Sequence, residues 1–409
     1  MATVTLTQNK KQLGQFFTAR ADYILNGLAR YVRGKVIVDP FAGSGDLLNW
    51  AEENGAKSVK GFDIDPNLTK GPRISINDSL LKPGQYKFVI TNPPYLNVNK
   101  ADTRTKERYF SKREFEDLYQ LSLRSIMNSE EGIVIVPINF LSAYNARSIR
   151  DLFFSKFEID RMSYFREQVF PDTTYNVIAF HYRKRRVQNL GSFTISAKIF
   201  PGKESISITL NQLTHWTIGG DIYERITDQK NILRIQRLEE RHIEENQGNV
   251  ALRGAHNHIK TPWTGKVSKE FAQKVKSNIM LLRAIDGGSE HSRMGLDNIR
   301  DHNIDCLVSK TTSRHMIHLI MEQQISIGEQ EKLIGLFNKE LEVMREKHFS
   351  LFLTNYRDND RKRISFDFVY KLLNYLYEQH IASSGKLPFS YEPMGRTKYQ
   401  TRERTRISR

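Results

Sequence analysis

The run Ile90-Thr91-Asn92-Pro93-Pro94-Tyr95 gathers residue types able to hold and polarise an amine. Two successive prolines cannot continue a strand, and the residue before each is confined to extended or turn geometry, so the backbone is pinned as it leaves the apolar run at 88–91. A fixed Asn92 side-chain oxygen and a fixed Pro93 carbonyl result. An exocyclic amine such as N6 of adenine is a poor nucleophile because its lone pair is delocalised into the ring. If both oxygens accept its hydrogens, the nitrogen becomes more tetrahedral and the lone pair can be aimed at an electrophilic methyl carbon. Such preorganised acceptors also stabilise the positive charge that develops on nitrogen. Tyr95 offers a flat face on which an extruded base can stack, worth about 1–3 kcal/mol per base. A structural Pro-Pro turn is the competing reading.

A second constellation lies upstream, in Val38-Asp39-Pro40-Phe41-Ala42-Gly43-Ser44-Gly45-Asp46. Glycines at the end of a strand let a ligand approach the backbone closely, where open α/β sheets bind ligands. A dinucleotide loop needs a third glycine, but the position is Leu48, and a pyrophosphate gains nothing beside Asp39 and Asp46. Acid here suits a cationic ligand. In Phe62-Asp63-Ile64-Asp65-Pro66, at a second strand end, a carboxylate can accept hydrogen bonds from ribose hydroxyls. S-adenosylmethionine (SAM) meets both conditions, with ribose and adenine, no phosphate and a positive sulfonium. A plain βα turn with a capping Asp is the bland alternative.

Together these motifs resemble the SAM-dependent DNA amino-methyltransferases, and among them the N6-adenine enzymes of restriction-modification type. Asn92, Pro93, Pro94 and Tyr95 match the family's catalytic tetrapeptide, and the order of cofactor motifs, catalytic motif and long C-terminal region is similar to its gamma arrangement. The resemblance covers about residues 12–182. It implies that Gly14-Gln15-Phe16-Phe17-Thr18 closes over the methionine end of the cofactor. It also implies cofactor contacts at Phe17, Thr18, Asp39, Gly43, Gly45, Asp63, Ile64 and Asp78, the last meeting the cofactor's adenine amino group. Phe170, in Val169-Phe170-Pro171, is carried over as the second face of a base sandwich. The implied cofactor is SAM with no metal, and the implied partner is double-stranded DNA, with a cognate restriction endonuclease acting separately. Cytosine N4, ribosomal RNA adenine and protein glutamine remain competing substrates, and a non-catalytic DNA-binding module is the competing class.

The elements that must position these residues read as a doubly wound α/β sheet. Apolar runs at 36–38, 59–62, 88–91, 132–136 and 161–165 alternate with helical spacing at 21–33, 47–54 and 114–127. A last strand at 175–182 is expected antiparallel to its predecessor. The regular alternation stops at Arg183, Lys184, Arg185 and Arg186, which sets the expected boundaries: a catalytic domain at 1–188, a mixed and helical target-recognition domain at 189–385, and a basic tail at 386–409. Within the second domain, 192–210 is β-like and 313–345 repeats apolar residues at helical spacing. Base and phosphate contacts are expected from the charge run at 183–186, from the loop at 287–293, and from Arg357, Arg361, Lys362 and Arg363. His315 and His318 are expected to be solvated or DNA-facing.

Composition frames the rest. The 409 residues carry 62 Lys+Arg against 46 Asp+Glu, a net charge of +16, which favours a polyanionic partner. With 39% hydrophobic residues there is enough apolar mass for packed domains, and fibrous or wholly disordered classes are excluded. The single cysteine excludes an internal disulfide and a cysteine zinc cage, in keeping with a reducing, cytoplasmic setting. No leader or membrane span is expected, and the enzyme is expected to act as a monomer.

Overall fold

The computed structural model describes residues 18, 20–69, 71–170, 175–186, 191–286, 293–357 and 361–382. The expectations placed on Phe17, on 287–292, on the Arg357 side chain and on the 386–409 tail lie outside them. Two compact units divide the chain. The first comprises Met1–Gly220 with Asp286–Glu290 and Leu351–Arg363, and the second Asp221–Ile285, His291–Ser350 and Ile364–Arg409.

The first unit is built on nine strands: β1 (Val36–Asp39), β2 (Ser58–Asp63), β3 (Ile74–Ile76), β4 (Tyr86–Thr91), β5 (Ser129–Pro137), β6 (Phe157–Phe165), β7 (Val177–Lys184), β8 (Ser192–Phe200) and β9 (Glu204–Asn211). Their order is β3-β2-β1-β4-β5-β7-β6-β8-β9. The strands β3, β2, β1, β4 and β5 run parallel, and β7 enters antiparallel between β5 and β6. The chain runs outward from β1 to β2 and β3, then returns to place β4 on β1's other side. The carboxyl ends of β1 and β4 therefore lie side by side at the switch point of the sheet, where open α/β sheets bind ligands. Sequence reading expected this doubly wound sheet with an antiparallel last strand, and the structure shows it.

The longer helices of this unit are α1 (Asp46–Glu53), α2 (Thr103–Tyr109), α3 (Leu118–Ser125) and α4 (Arg147–Lys156). Helix α1 starts at Gly45, whose φ of +88° is one that side chains rarely adopt, and buries Leu47, Leu48, Trp50 and Ala51. At α3, Asp117 and Gln120 form a capping box that satisfies the first-turn amides. Helix α4 buries Phe153 and Phe154 against Phe140, Phe157, Phe180 and Tyr182, with ring centroids 5.0–6.2 Å apart in the tilted and edge-on pairs that aromatic quadrupoles favour.

The charge run at 183–186 does not end this unit. Its first two residues, Arg183 and Lys184, end β7, and the sheet continues through β8 and β9, which the sequence reading assigns to the second domain. The physical reason is a buried cation. Arg150 is 2% exposed and donates to the carbonyls of Phe140 (3.0 Å), Ala143 (2.7 Å) and His215 (2.9 Å) and to Thr217 Oγ1 (2.9 Å). Burying a guanidinium is tolerable only with such full pairing, so α4 and the segment after β9 form one body.

The second unit holds two sheets. The strands β10 (Ile235–Arg237), β13 (Met280–Arg283), β14 (Gly295–Asn298) and β16 (Met316–Met321) form one in the order β10-β16-β13-β14. The other is β12-β11-β15, from β11 (Gln247–His256), β12 (His258–Val267) and β15 (Cys306–Val308). The unit's longer helices are α5 (Lys269–Lys276), α6 (Ile327–His348) and α7 (Phe366–His380). The helix expected over 313–345 is instead a strand followed by α6. Every residue of β16 is buried, and a strand covered on both faces is continuously apolar, which periodicity alone cannot tell from helix. Ser326 and Glu329 mark the true start of α6 with a capping box. His318, on β16, is core rather than solvated. It sits 2.8 Å from the Asn278 carbonyl, and burial pushes its imidazole down to about 4, so it stays neutral. The strands β17 (Thr354–Arg357) and β18 (Arg361–Arg363) pair with each other and belong to the first unit.

Candidate active site

The turn after β4 is tethered from three sides. Asn92 is 7% exposed, and its Nδ2 donates to Thr18 Oγ1 at 3.2 Å. Tyr95 Oη lies 2.6 Å from Asn92 Oδ1 and 2.8 Å from the Ile135 carbonyl of β5, so one phenol proton links the Asn to the neighbouring strand. Burial, then the nearby Tyr119, raises the Tyr95 hydroxyl well above its ordinary range, which keeps it a donor at any working pH. A carbonyl oxygen has two lone pairs, so Asn92 Oδ1 can accept from Tyr95 and still accept from a substrate amine.

The glycine loop is organised by its carboxylates. Asp63 receives the Gly43 amide and the Asp65 amide, each at 2.8 Å, so the end of β2 holds the loop that follows β1. Burial raises the Asp63 carboxyl, and these amides oppose the shift. Asp39, 1% exposed, accepts from Phe41 N at 3.0 Å, yet burial dominates and pushes it up to about 7. Asp46 accepts from Ser44 Oγ (2.7 Å) and from Thr18 N (3.2 Å). Thr18 thus ties the glycine loop by its backbone and Asn92 by its side chain. Ile64 is half-buried after β2.

The structure gives several of the expected site residues partners that the sequence did not show. Asp78, expected to meet an adenine amino group, is turned to α2. Its Oδ2 accepts from Arg108 Nε (3.1 Å), Arg108 Nη2 (2.5 Å) and Tyr109 Oη (3.0 Å), and its Oδ1 from the Leu80 and Leu81 amides. Tyr95 and Phe170, expected as open stacking faces, expose only 7% and 2% of their surface, so both rings are packed. Lys362 is not a phosphate contact. It is 1% exposed, and its ammonium lies 2.7 Å from Tyr164 Oη and 5.1 Å from that ring's centroid. In the charge run, Arg185 donates to the Phe154 carbonyl (2.6 Å) and stacks over Trp216, while Arg183 and Arg186 flank buried Glu158 at 3.0 and 3.8 Å. Lys184 projects outward beside Glu130, and Arg361 and Arg363 are half-buried.

Sequence reasoning brought Asn92, Gly43, Gly45, Asp39 and Asp63 to one end of the sheet. It missed the Ile135 carbonyl, the Arg108 clamp and the bridging geometry of Thr18. A backbone carbonyl leaves no mark in a sequence, and partners as far apart as Thr18 and Asn92 meet only through the fold.

The reversal of strand order beside a glycine loop, an acid at the next strand end and a pinned Asn-Pro-Pro turn are the features of a doubly wound methyltransferase. Residues 37–170, about a third of the chain, match the model of the Eco57I restriction-modification methylase family. The matched segment runs from β1 to Phe170 and holds both constellations. Solved structures similar to this chain include the M protein of the type I restriction enzyme EcoKI, 17% identical over 48% of this chain and 51% of that one, with a TM-score of 0.34. A type I methyltransferase subunit from Streptococcus thermophilus is 16% identical over 44% and 47%, TM-score 0.32. The type IIG restriction endonuclease BpuSI is 12% identical over 84% and 56%, TM-score 0.41. The chain spans about half the length of the two type I subunits. No curated protein matches the sequence. No helix among the described residues is long and apolar enough to cross a membrane.

Proposed function

We propose that the chain methylates N6 of adenine in duplex DNA, with SAM as donor, as the modification enzyme of a restriction-modification system whose endonuclease acts separately. The observation that carries this reading is the Asn92–Tyr95 turn, held from β5 and from Thr18 beside the glycine loop. The residues present fit the donor. Asp39 is a buried carboxyl that gives up its proton reluctantly, and a neighbouring cation restores its charge. Asp63 keeps free lone pairs on both oxygens for ribose hydroxyls. Bound there, SAM supplies an electrophilic methyl carbon next to a positive sulfur.

The chain's own part is positional. Asn92 Oδ1 and the Pro93 carbonyl accept the two amine hydrogens, Pro94 fixes the direction of both, and Tyr95 stops Asn92 from rotating away. No strongly basic side chain is required. The test is to incubate the protein with labelled SAM and unmethylated plasmid, then map modified bases by single-molecule sequencing. The expected result is N6-methyladenine at one short sequence. Label absent from DNA but present in ribosomal RNA, or in a glutamine-bearing protein, would overturn the reading.

A further inference from the structure

The second unit carries a long antiparallel ribbon, β11 and β12, joined through Asn257 at φ +60°. From Gln247 to Val267 it contains no Asp or Glu, and neither does the stretch from Cys306 to Met321 that supplies β15 and the loop beyond it. Its two faces differ. Leu252, Val267 and the half-buried Val250 and Trp263 pack into a core with Phe271, Val275 and Ile320. The opposite face shows Ala251, Arg253, Lys260, Pro262, Thr264 and Lys266, all exposed. Arg253 is paired in register with Thr264, and Ala251 with Lys266.

Strand β12 is the outer strand of its sheet. Lysines on an edge also deter aggregation, but that purpose does not require both strands and the adjoining loop to be free of acid. Of the carboxylates beside it, Asp305 accepts from the Arg253 amide (3.0 Å) and Glu240 lies 2.8 Å from His256 Nε2. At the tip opens a cavity of about 350 Å3 lined by Asn257, His258, Lys310, Thr312, Ser313 and His315. Ammonium, imidazole and hydroxyl groups in one cleft are donors suited to a phosphate.

We infer that this ribbon is the element that seats duplex DNA, its exposed face in the major groove and its tip cavity on a backbone phosphate. The inference rests on the function proposed above and names the surface that reads the substrate. A major groove about 12 Å wide admits a two-stranded ribbon. Charge chooses the occupant: an acid-free basic face complements a polyanion and repels a basic partner. Arg253 and Thr264, central and paired, face base edges, and Lys260 and Lys266 reach phosphates.

The test uses the full chain. Binding to a short fluorescent duplex is measured by anisotropy over a range of salt for the wild type, for the double variant K260Q with K266Q, and for K260R with K266R. Each lost phosphate contact removes about 0.9 from the slope of log affinity against log salt. The neutral variant should lose about two from that slope and keep its thermal midpoint, while the arginine variant keeps the slope. Arg253→Ala should broaden the set of methylated sequences. An unchanged slope in the neutral variant, with wild type binding and methylating DNA, overturns the ribbon assignment alone. Failure of the wild type to bind duplex, or a preference for RNA or single strands, overturns both it and the proposed function.

Discussion

The turn after β4 and the β11–β12 ribbon are both polar, and they are built in opposite ways. At the turn, Asn92, Tyr95 and Thr18 are buried and hydrogen-bonded to each other and to β5. On the ribbon, Lys260, Thr264 and Lys266 stand exposed on an acid-free face. A group that must steer one lone pair needs fixed geometry, and burial supplies it because every polar atom has to find a partner there. A group that must meet a phosphate keeps its solvation until contact, so exposure and charge suffice. Polar residue types alone therefore do not separate catalysis from recognition, whereas burial does.

Four substitutions or titrations break or sharpen that contrast. Asn92→Ala removes an acceptor aimed at developing charge and should lower methyl transfer about 10^2–10^3-fold, with duplex affinity retained, as anisotropy and label transfer together would show. If that variant kept full activity, the turn would be scaffold only. Tyr95→Phe deletes the proton shared with Asn92 and Ile135. A hydrogen bond of this kind contributes about 1 kcal/mol, so turnover should fall about fivefold with little change in the KM for DNA. A larger rise in KM than loss in turnover would assign Tyr95 to binding instead.

Lys362→Met tests the correction made at β18. As a buried ammonium on Tyr164 it should cost about 1–3 kcal/mol in thermal or denaturant unfolding, with the DNA salt slope unmoved. A drop in slope at constant stability would return Lys362 to the phosphate contacts. The smallest effect concerns pH. Because the Asp39 carboxyl is raised from 3.8 to about 7, it destabilises the fold increasingly as pH climbs from 3.8, and the cost is complete above about 7. A cation bound beside it lowers that pKa, so binding releases a proton near neutrality and tightens as pH rises from 6 to 8. Calorimetry in buffers of different ionisation enthalpy should detect the proton, and Asp39→Asn should abolish it.

Both constellations were legible in the sequence because each is local. Pro93 and Pro94 pin the backbone by covalent geometry, and Gly43 and Gly45 permit their turn whatever surrounds them. The alternation of apolar runs gave the sheet for the same reason. At β16 the reading failed, since a fully buried strand erases the period that distinguishes it from helix. At 183–186 it failed because a run of four cations says nothing about which of them find carboxylates, carbonyls or an indole face.

By itself, then, the chain's order of residues determined that a glycine loop and an Asn-Pro-Pro-Tyr turn would end strands of a doubly wound sheet, and that a polyanion would suit the whole. Only the tertiary structure decided that Tyr95 is a tether on Ile135, that Asp78 belongs to Arg108, that Lys362 is core and that the acid-free ribbon is the exposed one. Those outcomes depend on burial and on partners distant in sequence, and desolvation is a property of the packed chain, which no residue carries alone.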